Sequence, residues 1–449
     1  TFMEPVIRLG VTGLSRAGKT VFITSLVENL RDRSRMPQFK AAAGGRIEAA
    51  FLQPQPNQTI PRFKIEEHMN TLLSGDPVWP ISTRSISQLR LSLRVRPDGL
   101  FGISRAPRTV HLDIIDYPGE WLLDLPLLEQ SYTEWSTQAI DLAKGEARRA
   151  VAEPFLTALD KIDQDSAFSE THAEDLAGAF TEYLRACRDV GFSSCAPGRF
   201  LMPGDMEGSP AMTFCPLPGA VGGRGSLGRE MQRRYEGYKS QVVLPFFRDH
   251  FAKLDRQVVL MDVLGALEAG PTALHDMSDA LADILGSFKT GRNSILSRLF
   301  TRKIDRILFA ATKADHIHHT QHSAVDTLLQ SIVRKTKDAA EFKGVETRSM
   351  AMAAFRATVE TNRTHQGQQI ATVEGRFAED GQIGASFPGQ IPNDPRGILA
   401  AASLGGADWP DWEFDLQEFL PPKTEGQAIK GLPHIRMDQA VEFLLGDKL

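Results

Sequence analysis

Three observations in the sequence predict an α/β fold on a mostly parallel sheet. Short apolar runs alternate with segments of helical spacing. The first run passes through a glycine-rich turn straight into a helix, and acidic or Lys-x-Asp signals sit just beyond the ends of later runs. Apolar strands that alternate with helices imply a parallel sheet covered on both faces. At 449 residues the chain exceeds what one core usually serves, so a core with large insertions, or two to three units, is expected.

The elements follow in order. Residues 5–12 read as an apolar strand, 13–20 as the turn, and Val21, Phe22, Leu26 and Leu30 mark a helix by their spacing. From 31 to 81 Pro, Gly and Gln punctuation reads as an insertion with one helix over 64–73. Two adjacent strands are expected over 86–95 and 110–116, separated by a Pro-Asp-Gly turn signal. Residues 130–190 and 230–253 carry helical spacing around a Pro/Gly-rich stretch, 196–229. Strands return at 257–264, 306–311 and 345–353, with helices near 273–289 and 321–337, then β-like pieces such as 369–377, and a closing helix over 437–446. The organisation expected is a nucleotide-binding core in three parts, 1–30, 82–129 and 254–355. It is interrupted by an insertion at 31–81, a helical insertion at 130–253 and a small mixed insertion at 356–435, and closed by a helix at 436–449.

Composition excludes several classes. Apolar residues are 42% and charged residues 24%, which is ordinary globular usage. A net charge of -5, from 51 basic and 56 acidic residues, lacks the footprint of a nucleic-acid binder, so no direct nucleic-acid partner is expected. Cys187, Cys195 and Cys215 lack the two-residue spacing of redox or zinc motifs, and a reduced compartment is expected. Neither a signal peptide nor a transmembrane segment is expected. The abrupt opening on a strand near Val6 raises the expectation of a native leader segment ahead of it.

The strongest chemical signal is Gly13-Leu14-Ser15-Arg16-Ala17-Gly18-Lys19-Thr20, a full GxxxxGK[ST] match between a strand and a helix. Its glycines let backbone N–H groups turn inward around phosphate, and the helix N-terminus adds partial positive charge. Gly13, Ser15, Arg16, Ala17, Gly18, Lys19, Thr20 and Val21 are the expected phosphate cradle, with Lys19 at the β and γ phosphates and Thr20 on Mg²⁺. The fold class expected is thus a P-loop nucleoside triphosphatase, GTPase-like, with a mostly parallel sheet core and large, mainly helical insertions. Asp116-Tyr117-Pro118-Gly119 supplies a strand-end carboxylate to hold Mg²⁺ through water and a glycine N–H for the γ-phosphate. Thr312-Lys313-Ala314-Asp315 resembles the guanine-reading [NT]KxD element. There the Asp315 carboxylate would accept from guanine N1 and N2, donors that adenine does not pair, and the Lys313 stem would lie along the ring.

Softer signals complete the set. Thr83 precedes the second strand of the core, where a first switch supplies a threonine to Mg²⁺ and the γ-phosphate. Ala353 and Ala354 stand where a backbone N–H meets guanine O6, an assignment by position alone. Glu120 occupies the place of the glutamine that orients the attacking water in small GTPases. A carboxylate there predicts slow intrinsic turnover, raised by a partner or by Arg16 or Arg84. The catalytic set expected is Lys19, Glu120 and Thr83, and the metal set Thr20, Thr83 and Asp116. Gly223 to Gly228 spell GxGxxG but follow Pro-rich sequence, and read as a flexible loop. His316, His318, His319 and His322 read as a solvated loop or helix start rather than a metal site, and Tyr235, Phe246, Phe247 and Phe251 as core or partner-facing surface.

On these residues the chain resembles the YcjX-like family of stress-associated P-loop proteins. The resemblance spans nearly the whole length. It rests on Val11 to Thr20, Asp116-Tyr-Pro-Gly-Glu-Trp-Leu-Leu-Asp-Leu-Pro126, Pro197-Gly-Arg-Phe200, Leu308 to Asp315 and Pro433-His-Ile-Arg436. It implies a bacterial cytoplasmic GTP- and GDP-binding protein of the phage-shock or envelope-stress response. It also implies a protein partner, a membrane protein of the same system among the candidates, that would place the chain at the inner membrane. Two other readings stand beside a GTP-hydrolysing switch: a nucleotide-bound scaffold with vestigial hydrolysis, and an ATP-specific ATPase or small-molecule kinase.

Overall fold

A computed structural model of the chain describes residues 4–13, 17–81, 85–97, 106–163, 165–219, 222–286, 304–392, 394–404, 406, 409, 414–423 and 430–449. These divide into two units. One draws on Thr1–Tyr117, Leu254–Leu274 and Lys303–Leu449, the other on Pro118–Lys253 and His275–Arg302.

The first unit is built on a sheet whose strands are β1 (Val6–Gly13), β2 (Ile47–Gln53), β3 (Ser87–Val95), β4 (Arg108–Asp116), β5 (Arg256–Met261), β6 (Arg306–Ala311) and β7 (Glu346–Ala351). Their order is β2-β3-β4-β1-β5-β6-β7. β4, β1, β5, β6 and β7 run parallel, while β2 and β3 pair antiparallel at one side. The central strands are apolar on both faces, as a doubly covered parallel sheet demands. Leu9 and Val11 of β1 are fully buried, in one cluster with Leu26 and Leu30 of helix Lys19–Asp32 and with Met437, Val441 and Leu444 of helix Met437–Leu445. A buried guanidinium ties that last helix to the sheet. Arg256 donates to Leu444 O at 3.0 Å, Asp305 Oδ2 at 2.8 Å and Asp447 Oδ2 at 2.8 Å, so the charge is both paired and hydrogen-bonded.

Two elements depart from the sequence-based expectation. β2 lies inside the stretch read as an unpaired insertion. Its sequence, Ile-Glu-Ala-Ala-Phe-Leu-Gln, does not alternate because it is an edge strand with half-exposed positions along it. The apolar run at 257–264 stops as a strand at Met261, since the Asp262 side chain accepts from Gly265 N at 2.9 Å and caps a helix, Val263–Glu268. A second, antiparallel sheet joins β8 (Val359–His365), β9 (Gln368–Phe377), β10 (Ile383–Ser386) and β11 (Phe419–Leu420). Gln366 and Gly367, both at positive φ, form the two-residue turn between β8 and β9.

The second unit is helical around an aromatic core. Helices Tyr132–Lys144, Glu146–Leu159, Glu170–Asp189 and Leu227–Tyr238 enclose Trp135 stacked on Tyr235 at 5.0 Å and Phe155 stacked on Tyr183 at 5.6 Å. Tyr235, Phe246, Phe247 and Phe251 are all buried. The Gly223–Gly228 segment is not a free loop, because the Ser226 side chain accepts from Arg229 N and starts the Leu227–Tyr238 helix. Two sequence strings far apart in the chain meet here. Asp124 accepts from Gly198 N at 2.6 Å, Arg199 N at 3.3 Å and Tyr238 Oη at 2.6 Å, and the Arg199 guanidinium lies 3.3 Å from the Trp121 ring centre.

Burial pushes the Asp124 carboxyl up to about 6, against the hydrogen bonds from Tyr238 and Gly198 that hold it down. A carboxyl raised in the folded state contributes stability that is full below its unfolded pKa and lost as pH rises through the folded value. Relative to Asp124→Asn, the natural protein is therefore expected to lose on the order of 3 kcal/mol of stability from about pH 4 to pH 7. Urea unfolding of both proteins across that range measures the gap, and a gap independent of pH would exclude Asp124 as its source.

Candidate functional site

The chemistry-bearing residues of the first unit gather at the C-terminal ends of the parallel strands. β1 ends at Gly13 and the helix begins at Lys19, with Gly18 at φ 77° between them, a left-handed position that glycine holds without strain. Leu14, Ser15 and Arg16 lie outside the described residues, as do Thr83 and Arg84. Ala17 and Thr20 are buried. Among the described residues the first turn of the helix carries no acidic residue and no side-chain cap, so its partial positive charge is directed at the turn. Lys19 Nζ donates to Gly13 O at 3.1 Å, which ties the start of the helix to the end of β1.

Strand register brings a carboxylate to the same place. Asp116, the last residue of β4, pairs with Val11 of β1, two residues before Gly13, and is buried. Thr20 and Asp116 supply hydroxyl and carboxylate oxygens, the donors that a Mg²⁺ ion takes alongside phosphate and water. The set fits that ion. Next in the chain, Tyr117 is fully buried and donates to Gln257 Oε1 of β5 at 3.2 Å; burial pushes its phenol well above the ordinary value. Gly119 and Glu120 belong to the second unit, where they open a tight 3-10 helix, Gly119–Glu129. Glu120 is buried rather than turned to solvent.

Two strands further along the sheet, β6 delivers Thr312, Lys313 and Asp315. Thr312 N donates to Met261 O at 2.9 Å, and Lys313, at φ 60°, pairs through Nζ with Asp262 Oδ2 at 2.5 Å. Asp315 is buried, and its Oδ2 accepts from Ala357 N at 2.7 Å, while Thr358 Oγ1 donates to Asp315 O. The loop that follows β7 is tied to the Lys19–Asp32 helix as well, through Ser25 Oγ donating to Ala354 O. The Lys19–Asp32 helix and the Asp315 loop are thus both tied to the segment after β7.

One assignment needs correction. Ala353 does not offer its N–H to a ligand, because that group donates to Ile435 O at 3.1 Å and Ala353 O accepts from Ile435 N at 2.8 Å. Position after a strand end could not reveal this, since the partner comes from more than eighty residues later in the chain. The histidine cluster differs too: His316, His318 and His322 are buried, and His316 stands edge-on to Phe419 at 5.3 Å. Burial lowers the His316 and His322 pKa values, which leaves both rings neutral. Asp262, Ser25, Ala357 and Thr358 escaped the sequence reading. Only Asp262 carried a signal, as an acidic residue at the end of an apolar run.

Comparison with known proteins bears on the whole of this arrangement. A family model described as the YcjX-like family matches residues 7–449. A relative from Escherichia coli (strain K12), named Ras-like GTPase YcjX, is 37% identical over 99% of this chain and 96% of its own length. Another from Shewanella oneidensis, with the same name, is 36% identical over 99% of this chain and 94% of its own.

The turn itself leaves no space for a side chain at its first glycine. A Cβ on Gly13 would stand 2.8 Å from Leu260 O and 3.1 Å from Ala17 Cβ. Gly13→Ala is expected to cost about 1–3 kcal/mol, the usual range for overpacking a close backbone approach. Denaturant midpoints at unchanged slope measure it, and an unchanged midpoint would show that the turn yields freely.

Proposed function

This chain belongs to the YcjX-like family, and from that premise we propose that it is a Mg²⁺-dependent switch that binds and hydrolyses GTP. The observation that carries the reading is the buried Asp315 carboxylate. One oxygen is fixed by Ala357 N, and its loop is linked through Ala354 to the helix that begins at Lys19. A carboxylate so placed takes the N1 and N2 donors of guanine, while adenine would leave it buried and unmatched. The Lys313 pairing with Asp262 steadies the stem that would lie along the ring. Ala354 takes the O6 role that Ala353 cannot.

In this reading Gly13, Ser15, Arg16, Ala17, Gly18 and Val21 cradle the phosphates, and Lys19 exchanges Gly13 O for the β and γ phosphate oxygens. Thr20 and Thr83 would ligate the metal, with Asp116 acting through water. The metal, when bound, neutralises charge between the β and γ phosphates. Gly119 N–H would meet the γ-phosphate and Glu120 would accept from the attacking water. Water adds to the γ-phosphorus as the bond to the β-γ bridging oxygen breaks, giving GDP and inorganic phosphate. Placement in a bacterial stress response, at a cytoplasmic site and with a protein partner, is carried by the family resemblance. Among the described residues no helix is long and apolar enough to cross a membrane.

Two variants test the reading. Lys19→Ala is expected to weaken GTP binding at least about a hundredfold while circular dichroism stays unchanged, because the lost charge sits beside two phosphates. Asp315→Asn is expected to lose GTP and to gain xanthosine triphosphate, whose 2-oxo group matches an amide donor. Competition calorimetry decides: ATP displacing GTP on equal terms from the natural protein would overturn the guanine assignment. Nucleotide retained without turnover, with or without cell extract, would favour the scaffold.

Glu120→Ala is expected to lower kcat with little change in GTP affinity, since an interaction made mainly in the transition state affects the chemical step. Single-turnover phosphate release at saturating GTP and Mg²⁺ measures it. An unchanged rate would remove Glu120 from the mechanism.

A further inference from the structure

Three side chains that the nucleotide reading leaves unused converge beside the Asp315 loop. His318 and His319 follow Asp315 in the chain, and Glu360 stands on β8, three residues after Ala357. His319 Nδ1 lies 2.8 Å from Glu360 Oε2, and His318 Nε2 lies 3.9 Å from Glu360 Oε2. All three donor atoms fall within 4.8 Å of one another. Around a tetrahedral zinc ion with bonds of about 2.0–2.1 Å the donors stand roughly 3.4 Å apart, so closing this set asks for shifts on the order of 1 Å.

The surroundings prepare each donor. His318 is buried; its Nδ1 stands 3.0 Å from Thr320 Oγ1 and accepts from Thr320 N at 3.4 Å, which fixes the ring with Nε2 on the side of Glu360. The other carboxylate oxygen, Oε1, accepts from His319 N at 3.1 Å and lies 3.9 Å from the Arg356 guanidinium. These contacts orient the carboxylate and leave Oε2 toward the imidazoles. The His319 side chain is 63% exposed, which opens a fourth position to water. An ion pair alone would account for His319 and Glu360. The geometry adds a second, buried imidazole, with His318 Nε2 3.9 Å from the same oxygen.

We propose that His318 Nε2, His319 Nδ1 and Glu360 Oε2 bind a divalent transition-metal ion, zinc by the chemistry of two imidazoles and a carboxylate, and that the ion braces the two segments holding Asp315. The brace follows from connectivity: Asp315 already bonds Ala357 and Thr358, and the ion would add a third tie between the same two segments. The donor set differs in kind from the hard oxygens of Thr20 and Asp116. Only the consequence for base binding rests on the proposed guanine reading.

The test uses the full chain without nucleotide. Zinc is titrated against a chromophoric chelator, and cobalt serves as a spectroscopic probe of coordination. One equivalent is expected to bind, with affinity lower by about tenfold or more in His319→Ala and Glu360→Gln, and by roughly tenfold in Thr320→Val, which removes only the hydroxyl behind His318. His319 is exposed, so its variant is expected to fold, and circular dichroism checks that. Zinc is also expected to slow hydrogen exchange over 314–320 and 356–361 in the natural protein and not in Glu360→Gln. Equal zinc affinity in the natural protein and both ligand variants would overturn the site. Binding without protection of both segments would overturn the brace. A protein that passes both tests yet prefers ATP would leave the metal site standing and remove only the guanine reading.

Discussion

The placement of β1 between β4 and β5 is the constraint on which the rest of the first unit depends. Three parallel strands in fixed register bring Asp116, Gly13 and Met261 to one edge of the sheet, and β6 extends that edge to Thr312. Residues that follow parallel strands emerge on the same side, so groups scattered over three hundred positions become neighbours without any long-range signal in the sequence. The cost is close packing. A Cβ on Gly10 would stand 2.4 Å from Leu254 Cδ1 and 2.6 Å from Gln257 Oε1, the oxygen that receives the Tyr117 hydroxyl. Glycine at position 10 therefore makes room for the side chain that anchors the residue after Asp116. Gly13 and Asp116 are aligned by the same strand.

Charge burial makes this edge specific. Asp262 caps one helix and pairs with Lys313, and Asp315 is held through Ala357. A buried charge is tolerable only when its partners are fixed, so removing one partner costs more than the pair contributes. The loop around Asp315 is in this sense a set of mutually dependent contacts. Thr358 bonds its backbone, Ala357 its carboxylate, and His322 Nε2 approaches Ala314 O at 2.8 Å.

What the sequence made legible divides along physical lines. The positions of Gly13, Asp116 and the Thr312 to Asp315 element at strand ends could be read from particular residue types at short spacing. The order of strands and helices could be read because burial on two faces or one leaves a periodic trace. β2 left none, since an edge strand with half-exposed positions is not forced to alternate. The β8–β9 hairpin turns on Gln366-Gly367, a pair without the Asn-Gly or Asp-Gly signature. The misassigned Ala353 N–H and the approach of Glu360 to two histidines both depend on partners distant in sequence. Backbone hydrogen bonds of that kind carry no residue preference, and a lone carboxylate among polar neighbours carries little.

The same distinction explains where a nucleotide-driven change would have to act. Asp116 and Tyr117 are fixed in the first unit by strand pairing and by Gln257. Gly119 and Glu120 begin a segment fixed in the second unit: Gly198 approaches so closely that a Cβ there would meet Glu120 O at 1.7 Å, and Asp124 binds the N–H groups of Gly198 and Arg199. Arg199 in turn covers Trp121. A displacement of Gly119 therefore cannot stay local. It must carry the 3-10 segment, and with it the 198–199 turn and the Tyr238 hydroxyl bonded to Asp124. Gly119 thus opens a packed assembly rather than a free loop, and a packed assembly favours discrete positions over a continuum. Residues 119–126 and 197–200 are then one packed element of the second unit, divided in the chain and joined through Asp124.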